Sequence, residues 1–409
     1  MNKVAKLALA SAVAMVLAST ISIADDTKPT NSLAAGKDLQ QAYKDMQAHK
    51  WDDVLADLDK VKNNPKKNDY DEHVMNELYA TAYGNKKQLQ EATAPIERII
   101  ASKYTPPDEV KKRVVQVAAY FEELKNYDKA IEYGNRAIKD GYGTSAVQLI
   151  VAQSYYQKND FKSTSHFVHG VVDDQIKAGQ MPSDEMLQMG LSSAVKLNDD
   201  AAQSHWLELL VAYHPKPEYW QNLLSGMFNA KLTDAQLLQV YRLAADVGAL
   251  KRGSDYAEMA QLALAAGVPG EAVTVLSKGF AANAFTVKAD QNRNQHLLDS
   301  AKKQMAADQP TLAKTEADAA SAPTGEKLVG VGVGYFGYGD YAKGSKDIAA
   351  GLAKGSTKDP VDARLTLGIA QFKAGSKEEA VKTFRQVKGD PNLERLAALW
   401  IIRVRGASA

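Results

Sequence analysis

The sequence predicts an all-α chain, a superhelical solenoid of stacked antiparallel helix pairs, and three observations predict it. Small side chains recur on a beat of 34–38 residues along most of the 409-residue chain. Each is preceded by a short polar turn, as in LKNY, QKND and KAGS. There is no cysteine, so no disulfide or thiolate metal site can hold the chain, and packing of apolar faces must do so.

The first two dozen residues are set apart from the rest. Lys3 and Lys6 precede an apolar run, Leu7 to Ala18 (LALASAVAMVLA), and Ser22-Ile23-Ala24 offers small residues where a signal peptidase reads. The run is shorter than the roughly 18–20 apolar residues that span a bilayer. The expectation is a signal peptide over 1–24, cleaved after Ala24, a disordered mature N-terminus over 25–38, and a periplasmic protein without stable membrane insertion. The formal net charge of the whole chain is +1, and losing Lys3 and Lys6 takes it to about −1. Such a balance gives no electrostatic footprint for nucleic acid.

The beat becomes explicit when three stretches are aligned. VAAYFEELKNYDKAIEYGNRA (117–137), VAQSYYQKNDFKSTSHFVHGV (151–171) and LGIAQFKAGSKEEAVKTFRQV (367–387) share one pattern. An apolar residue and a small one open it, an aromatic or large residue follows, then a polar turn, then a small residue on the second helix. The second-helix markers are Val54, Ala92, Ala130, Thr164, Ala202, Ala272, Gly344 and Ala380, and Trp220 marks a weaker unit by its first helix. Two gaps are close to twice the usual spacing. Gly or Ala lets two helices cross closely, as at Gly190, Gly368, Ala130 and Ala380, with a large residue of the partner helix (Phe384, Trp206 or Ile348) filling the space beside it. His214-Pro215, Asp359-Pro360 and Asp390-Pro391 punctuate the units, because Pro starts or stops a helix. This pattern resembles the tetratricopeptide repeat, whose unit is about 34 residues. The resemblance covers 39–285 and 325–409, the latter with a capping helix. Residues 286–324 read as an irregular helical insertion or linker, with exposed helices and a break near 319–325.

GVGVGYFGYGDY (330–341) fits G-x-G-x-x-G loosely. A dinucleotide loop needs a strand before it and an acidic residue about 20 positions on. Its flanks instead align with a repeat: Val331-Gly332 as the apolar–small pair, Tyr335 as the aromatic and Gly339-Asp340-Tyr341 as the turn. The register predicts a weak helix here, although V-G-V-G would also suit a strand. His166 and His169 share one helical face, the spacing of a metal pair, but a polar outer face explains them more simply. No acid, base and nucleophile converge, and no catalytic residue, cofactor or metal site is assigned.

What remains is surface. In the family resembled, first helices line a concave groove that holds an extended or helical peptide. Carried over by register, the groove positions are Gln153, Tyr156 and Gln157, then Gln221, Phe228 and Asn229, then Phe336, then Leu365, Ile369 and Phe372. Aromatics beside amides suit peptide recognition; equally, such rings can seal neighbouring repeats. The family's carboxylate-gripping Asn has no counterpart at Thr81, Ala119, Gln153, Leu191, Ser225 or Gln261. The resemblance thus implies a scaffold or adaptor binding protein or peptide partners. QLALAAGVPGEAVTVLSKGF, with WQNLLSGMF before it, is similar to repeat proteins accompanying TonB-type uptake systems. The alternatives are a cell-wall or outer-membrane assembly factor with glycan in the groove, and an envelope enzyme with a site near 330–339.

Overall fold

The computed structural model describes residues 29–406, so the expected signal peptide and its cleavage point lie outside the described residues. Among the described residues every regular element is a helix. They fall into two compact units that meet at Asn198 and Asp199. Unit 1 holds α1 (Gly36–Gln47), α2 (Trp51–Lys62), α3 (Asp69–Asn85), α4 (Leu89–Ala101), α5 (Pro107–Glu123), α6 (Tyr127–Lys139), α7 (Ser145–Gln157), α8 (Phe161–Lys177) and α9 (Asp184–Leu197). Unit 2 holds α10 (Asp200–Tyr213), α11 (Pro217–Phe228), α12 (Asp234–Asp246), α13 (Gly253–Ala265), α14 (Pro269–Ala281), α15 (Lys288–Asp308), α16 (Leu312–Ser321), α17 (Glu326–Gly337), α18 (Tyr341–Lys354), α19 (Pro360–Lys373), α20 (Lys377–Arg385) and α21 (Pro391–Gly406).

Seven of the eight small-residue markers fall on the second helix of a packed pair. Val54, Ala92, Ala130, Thr164, Ala272, Gly344 and Ala380 are each the fourth residue of theirs, and all are buried. Thr164 fits because its hydroxyl donates to the Asp160 carbonyl at 2.8 Å, so no polar group is stranded. Ala202 is the third residue of α10 and only half-buried.

The turn before each marker has one geometry. Five residues ahead of the marker sits a residue with positive φ: His49, Lys87, Lys125, Asn159, Gly267, Gly339 and Gly375. The amide just after it donates back five residues, as from Asn126 to the Phe121 carbonyl at 2.8 Å and from Asp340 to Tyr335 at 3.0 Å. The positive-φ amide itself donates three residues back, as from Gly339 to Phe336 at 3.0 Å. This is a Schellman cap that satisfies the last carbonyls of the first helix and turns the chain directly into the second. Proline does the complementary work, opening α11, α19 and α21 at Pro217, Pro360 and Pro391.

Residues 330–337 are the last eight of the 12 residues of α17, a helix with no loop to wrap a phosphate. Its glycines serve packing. A Cβ on Gly332 would stand 2.7 Å from the Ile348 amide and 2.8 Å from the Gly344 carbonyl, and one on Gly344 would stand 2.8 Å from the Gly332 carbonyl. So α17 and α18 lie backbone against backbone. Gly368 does the same for the Phe384 ring, which a Cβ would meet at 2.6 Å.

The stretch before α1 is tied down. The Ser32 amide donates to Asp71 at 3.0 Å, Asn68 donates to the Thr30 carbonyl at 3.1 Å, and Ala35 is fully buried. Residues 30–38 therefore belong to the fold rather than to a disordered tail. Residues 286–324 form α15 and α16 joined through a short 3-10 turn. Helix α15 packs on α14 and α16 packs on α17. Between them the array of unit 2 reverses: α10, α12 and α14 face α21, α19 and α17, with α10 against α21, α12 against α19 and α21, and α14 against α17. The insertion expected from composition is the corner where the array doubles back on itself.

Candidate recognition surfaces

In unit 1 the first helices form the inner line. α1 touches α3, α5 touches α7 and α7 touches α9, while no second helix makes comparable contact with the next second helix. Polar side chains bridge this line. Arg113 of α5 pairs with Glu77 of α3, and Tyr156 of α7 shares a hydrogen bond of 2.6 Å with Ser192 of α9. The Tyr156 ring also meets Phe161, the first residue of α8, edge-on at 5.3 Å. Tyr156 is thus held from two sides. It remains half-buried with Gln153, and Gln157 is exposed. These three expected groove residues share an accessible face.

His73 lies on the same helix as Glu77. Its ring stacks on Tyr70 at 6.0 Å and tilts against Tyr104 at 5.9 Å. Burial, and then the charge of Arg113, hold its imidazole below the ordinary range, and its Nδ1 is buried without a partner. A neutral ring is what such a setting favours.

Unit 2 treats the equivalent positions differently. Phe336, Leu365 and Ile369 are buried, at 6%, 0% and 1% exposure. What covers this side is α12. All seven residues from Leu238 to Ala244 are buried, close to two full turns, so α12 is enclosed on every side. It meets its neighbours through a polar stripe at Gln236, Gln239, Arg242 and Asp246. Gln236 donates to Asp390 at 2.7 Å, at the start of α21. Gln239 donates to Asp362 at 2.9 Å and to Thr366 at 2.8 Å, both on α19. Arg242 grips both Glu271 oxygens on α14, at 2.9 and 2.7 Å, and lies 4.9 Å over the Phe336 ring. Asp246 accepts from Arg403 of α21 at 2.7 Å and pairs with Lys373 of α19. A buried charge is tolerable only with such partners.

The other expected positions in unit 2 are engaged as well. Phe372 is half-buried, 6.1 Å from the Trp400 ring with the Arg403 guanidinium 5.4 Å over it. Gln221 donates to the Ala249 carbonyl at 2.8 Å. Phe228 is 36% exposed but packs at 4.9 Å on Tyr241, and Asn229 is exposed just past the end of α11. The four aromatics share a helix-end position but not one kind of neighbour: Phe336 and Tyr156 meet Tyr341 and Phe161 across their own turns, at 5.5 and 5.3 Å, whereas Phe228 meets Tyr241 and Phe372 meets Trp400.

Sequence reasoning missed the α12 stripe. Its spacing of three to four residues looks like the wet side of a surface helix, and the one available signal was the heavy apolar content of the other faces (LLQVYRLAA). His166 and His169 are exposed on α8, with His169 Nε2 3.5 Å from Asp173. Among the described residues no group of three or more His, Asp and Glu is placed to hold a metal.

No model of a known protein family matches the sequence, and no curated protein matches it. Several solved structures are similar in fold. A tetratricopeptide repeat protein from Parabacteroides merdae is 11% identical, with 90% of this chain and 99% of that one covered and a TM-score of 0.31. Yeast Tom70 is 9% identical, with 91% and 96% covered and a TM-score of 0.24. The TPR2AB domain of yeast Sti1, solved in complex with pHSP90, is 14% identical, with 74% and 100% covered and a TM-score of 0.25.

Proposed function

We propose that this chain is a protein-interaction scaffold whose partner lies along the inner first helices of unit 1, with Gln153, Tyr156 and Gln157 among the contacts. One observation carries the reading: the inner side chains of unit 1 stay accessible, while α12 covers those of unit 2. An amide pair around a braced aromatic ring suits a peptide segment, because the ring contributes buried area at little entropic cost and the amides pair with backbone groups. The leader-like sequence ahead of Asp25 supports export, and with it a periplasmic place in an envelope transport or assembly complex.

Two experiments test this. Affinity capture from envelope extract should retain a partner with the native chain, lose it with Gln153→Ala/Gln157→Ala and with Tyr156→Ala, and keep it with Phe372→Ala. Equal capture by all variants would refute the assignment to unit 1. N-terminal sequencing of the protein from osmotically released periplasm should begin at Asp25; a cytoplasmic product beginning at Met1 would refute the export reading.

A further inference from the structure

A second surface of unit 2 calls for a partner of its own. Helices α20 and α21 border an open hollow of about 310 Å³, lined by Lys377, Glu378, Val381, Lys382, Arg385, Val404 and Arg405. Four of these side chains are cationic and one is a carboxylate, on a chain whose formal net charge is only +1. Elsewhere in unit 2 five of six arginines find acids: Arg242 pairs with Glu271, Arg252 with Asp255, Arg293 with Asp290, Arg395 with Glu208 and Arg403 with Asp246, while Arg364 donates to the Gln386 carbonyl. Lys382, Arg385 and Arg405 are exposed and have no carboxylate partner among the described residues. Helix C-termini attract cations, which accounts for basic residues at the ends of α20 and α21 but not for their meeting around one hollow. The floor is aliphatic, with Val404 buried and Val381 half-buried.

We infer that this hollow docks an acidic segment of a partner protein, one in which carboxylates flank a single aliphatic side chain. The aliphatic group seats on Val381 and Val404, and the carboxylates meet Lys382, Arg385 and Arg405. Complementary charge of this kind sets encounter rate and specificity. The hollow is built only from residues of unit 2, whereas Gln153 and Tyr156 belong to unit 1, so either reading can fail without the other.

The test uses the full mature chain and a fluorescein-labelled oligoglutamate peptide with one central leucine. Fluorescence anisotropy should show binding that weakens as salt rises from about 0.05 to about 0.5 M. The triple variant Lys382→Glu/Arg385→Glu/Arg405→Glu should weaken it by roughly tenfold or more. Lys314→Glu, at an exposed lysine on α16, should leave it unchanged. A circular-dichroism melt matching the native chain keeps the triple variant interpretable, because all three side chains are exposed. If the variant melts early, Arg385→Gln alone, which must weaken binding in the same direction, decides. The inference is overturned by absence of peptide binding, by binding indifferent to the charge reversal, or by capture on phosphatidylglycerol vesicles with none of the peptide.

Discussion

At the scale of single residues, the glycines of α17 divide by what stands beside them. Gly332 is walled by backbone, so Gly332→Ala should lower the thermal midpoint by several degrees, a cost of about 2–4 kcal/mol. Nothing lies within 4 Å of the Cβ position at Gly330, so Gly330→Ala should stabilise by about 0.5–1 kcal/mol through helix propensity alone. Calorimetric melts of the two variants check both signs. The caps give a second contrast. Lys125 holds a φ of 60°, which costs an L-residue about 1–2 kcal/mol. Lys125→Gly should therefore raise the urea midpoint of unit 1 modestly, part of the gain being lost to the looser unfolded chain. Small markers and turn residues were legible in the sequence because each acts on neighbours within a few positions. The caps were legible only in part, since His49, Lys87 and Lys125 take a conformation their identity does not advertise.

His73 gives a prediction in pH at the same scale. Its folded-state pKa is lowered, first by burial and then by Arg113, so the unfolded chain takes up a proton that the folded chain resists. Stability from this residue is present above an unfolded pKa of about 6.5 and is lost as pH falls below it. Urea midpoints measured from pH 8 to pH 5 should fall on the acid side, and His73→Gln should flatten that fall. An unchanged slope in the variant would place the pH dependence elsewhere.

At the scale of elements, α12 decides what unit 2 can do. The pair Arg242 and Glu271 is almost wholly buried, with side-chain exposures of 5% and 11%. Arg242→Met strands Glu271 and should cost about 3–5 kcal/mol. Adding Glu271→Leu should recover most of that loss, because two apolar side chains no longer leave a buried charge unpaired. A double-mutant cycle on chemical denaturation gives the coupling directly; additive losses would mean the two groups do not face each other. Asp362 belongs to the same interior: burial raises its carboxyl pKa, against the opposing charge of Arg242. Little of this was visible in one dimension. Register correctly put Phe336, Leu365 and Ile369 on first helices, but what covers those helices is α12, from a hundred residues earlier in the chain, and helical periodicity reports only which side chains share a face.

At the scale of the whole molecule, one repeating helix pair has been used in two ways. Unit 1 runs in chain order and leaves its inner helices accessible. Unit 2 turns at α15 and α16 and fills its inner side with its own helix. Composition marked 286–324 as different, being poor in large apolar residues, yet it could not show that the difference is a corner. Tyr338 on Asp308, and Tyr335 with Lys343 on Glu316, fasten that corner to α17 and α18, and these contacts lie 19 to 30 residues apart in the chain. The most direct measurement is native-state hydrogen–deuterium exchange across α12. Amides from Leu238 to Ala244 should be among the slowest in unit 2, exchanging only when the unit unfolds as a whole. Exchange there as fast as on the largely exposed helix α15 would show that α12 does not fill the inner side of unit 2, and the assignment of the inner-helix recognition surface to unit 1 alone would fall with it.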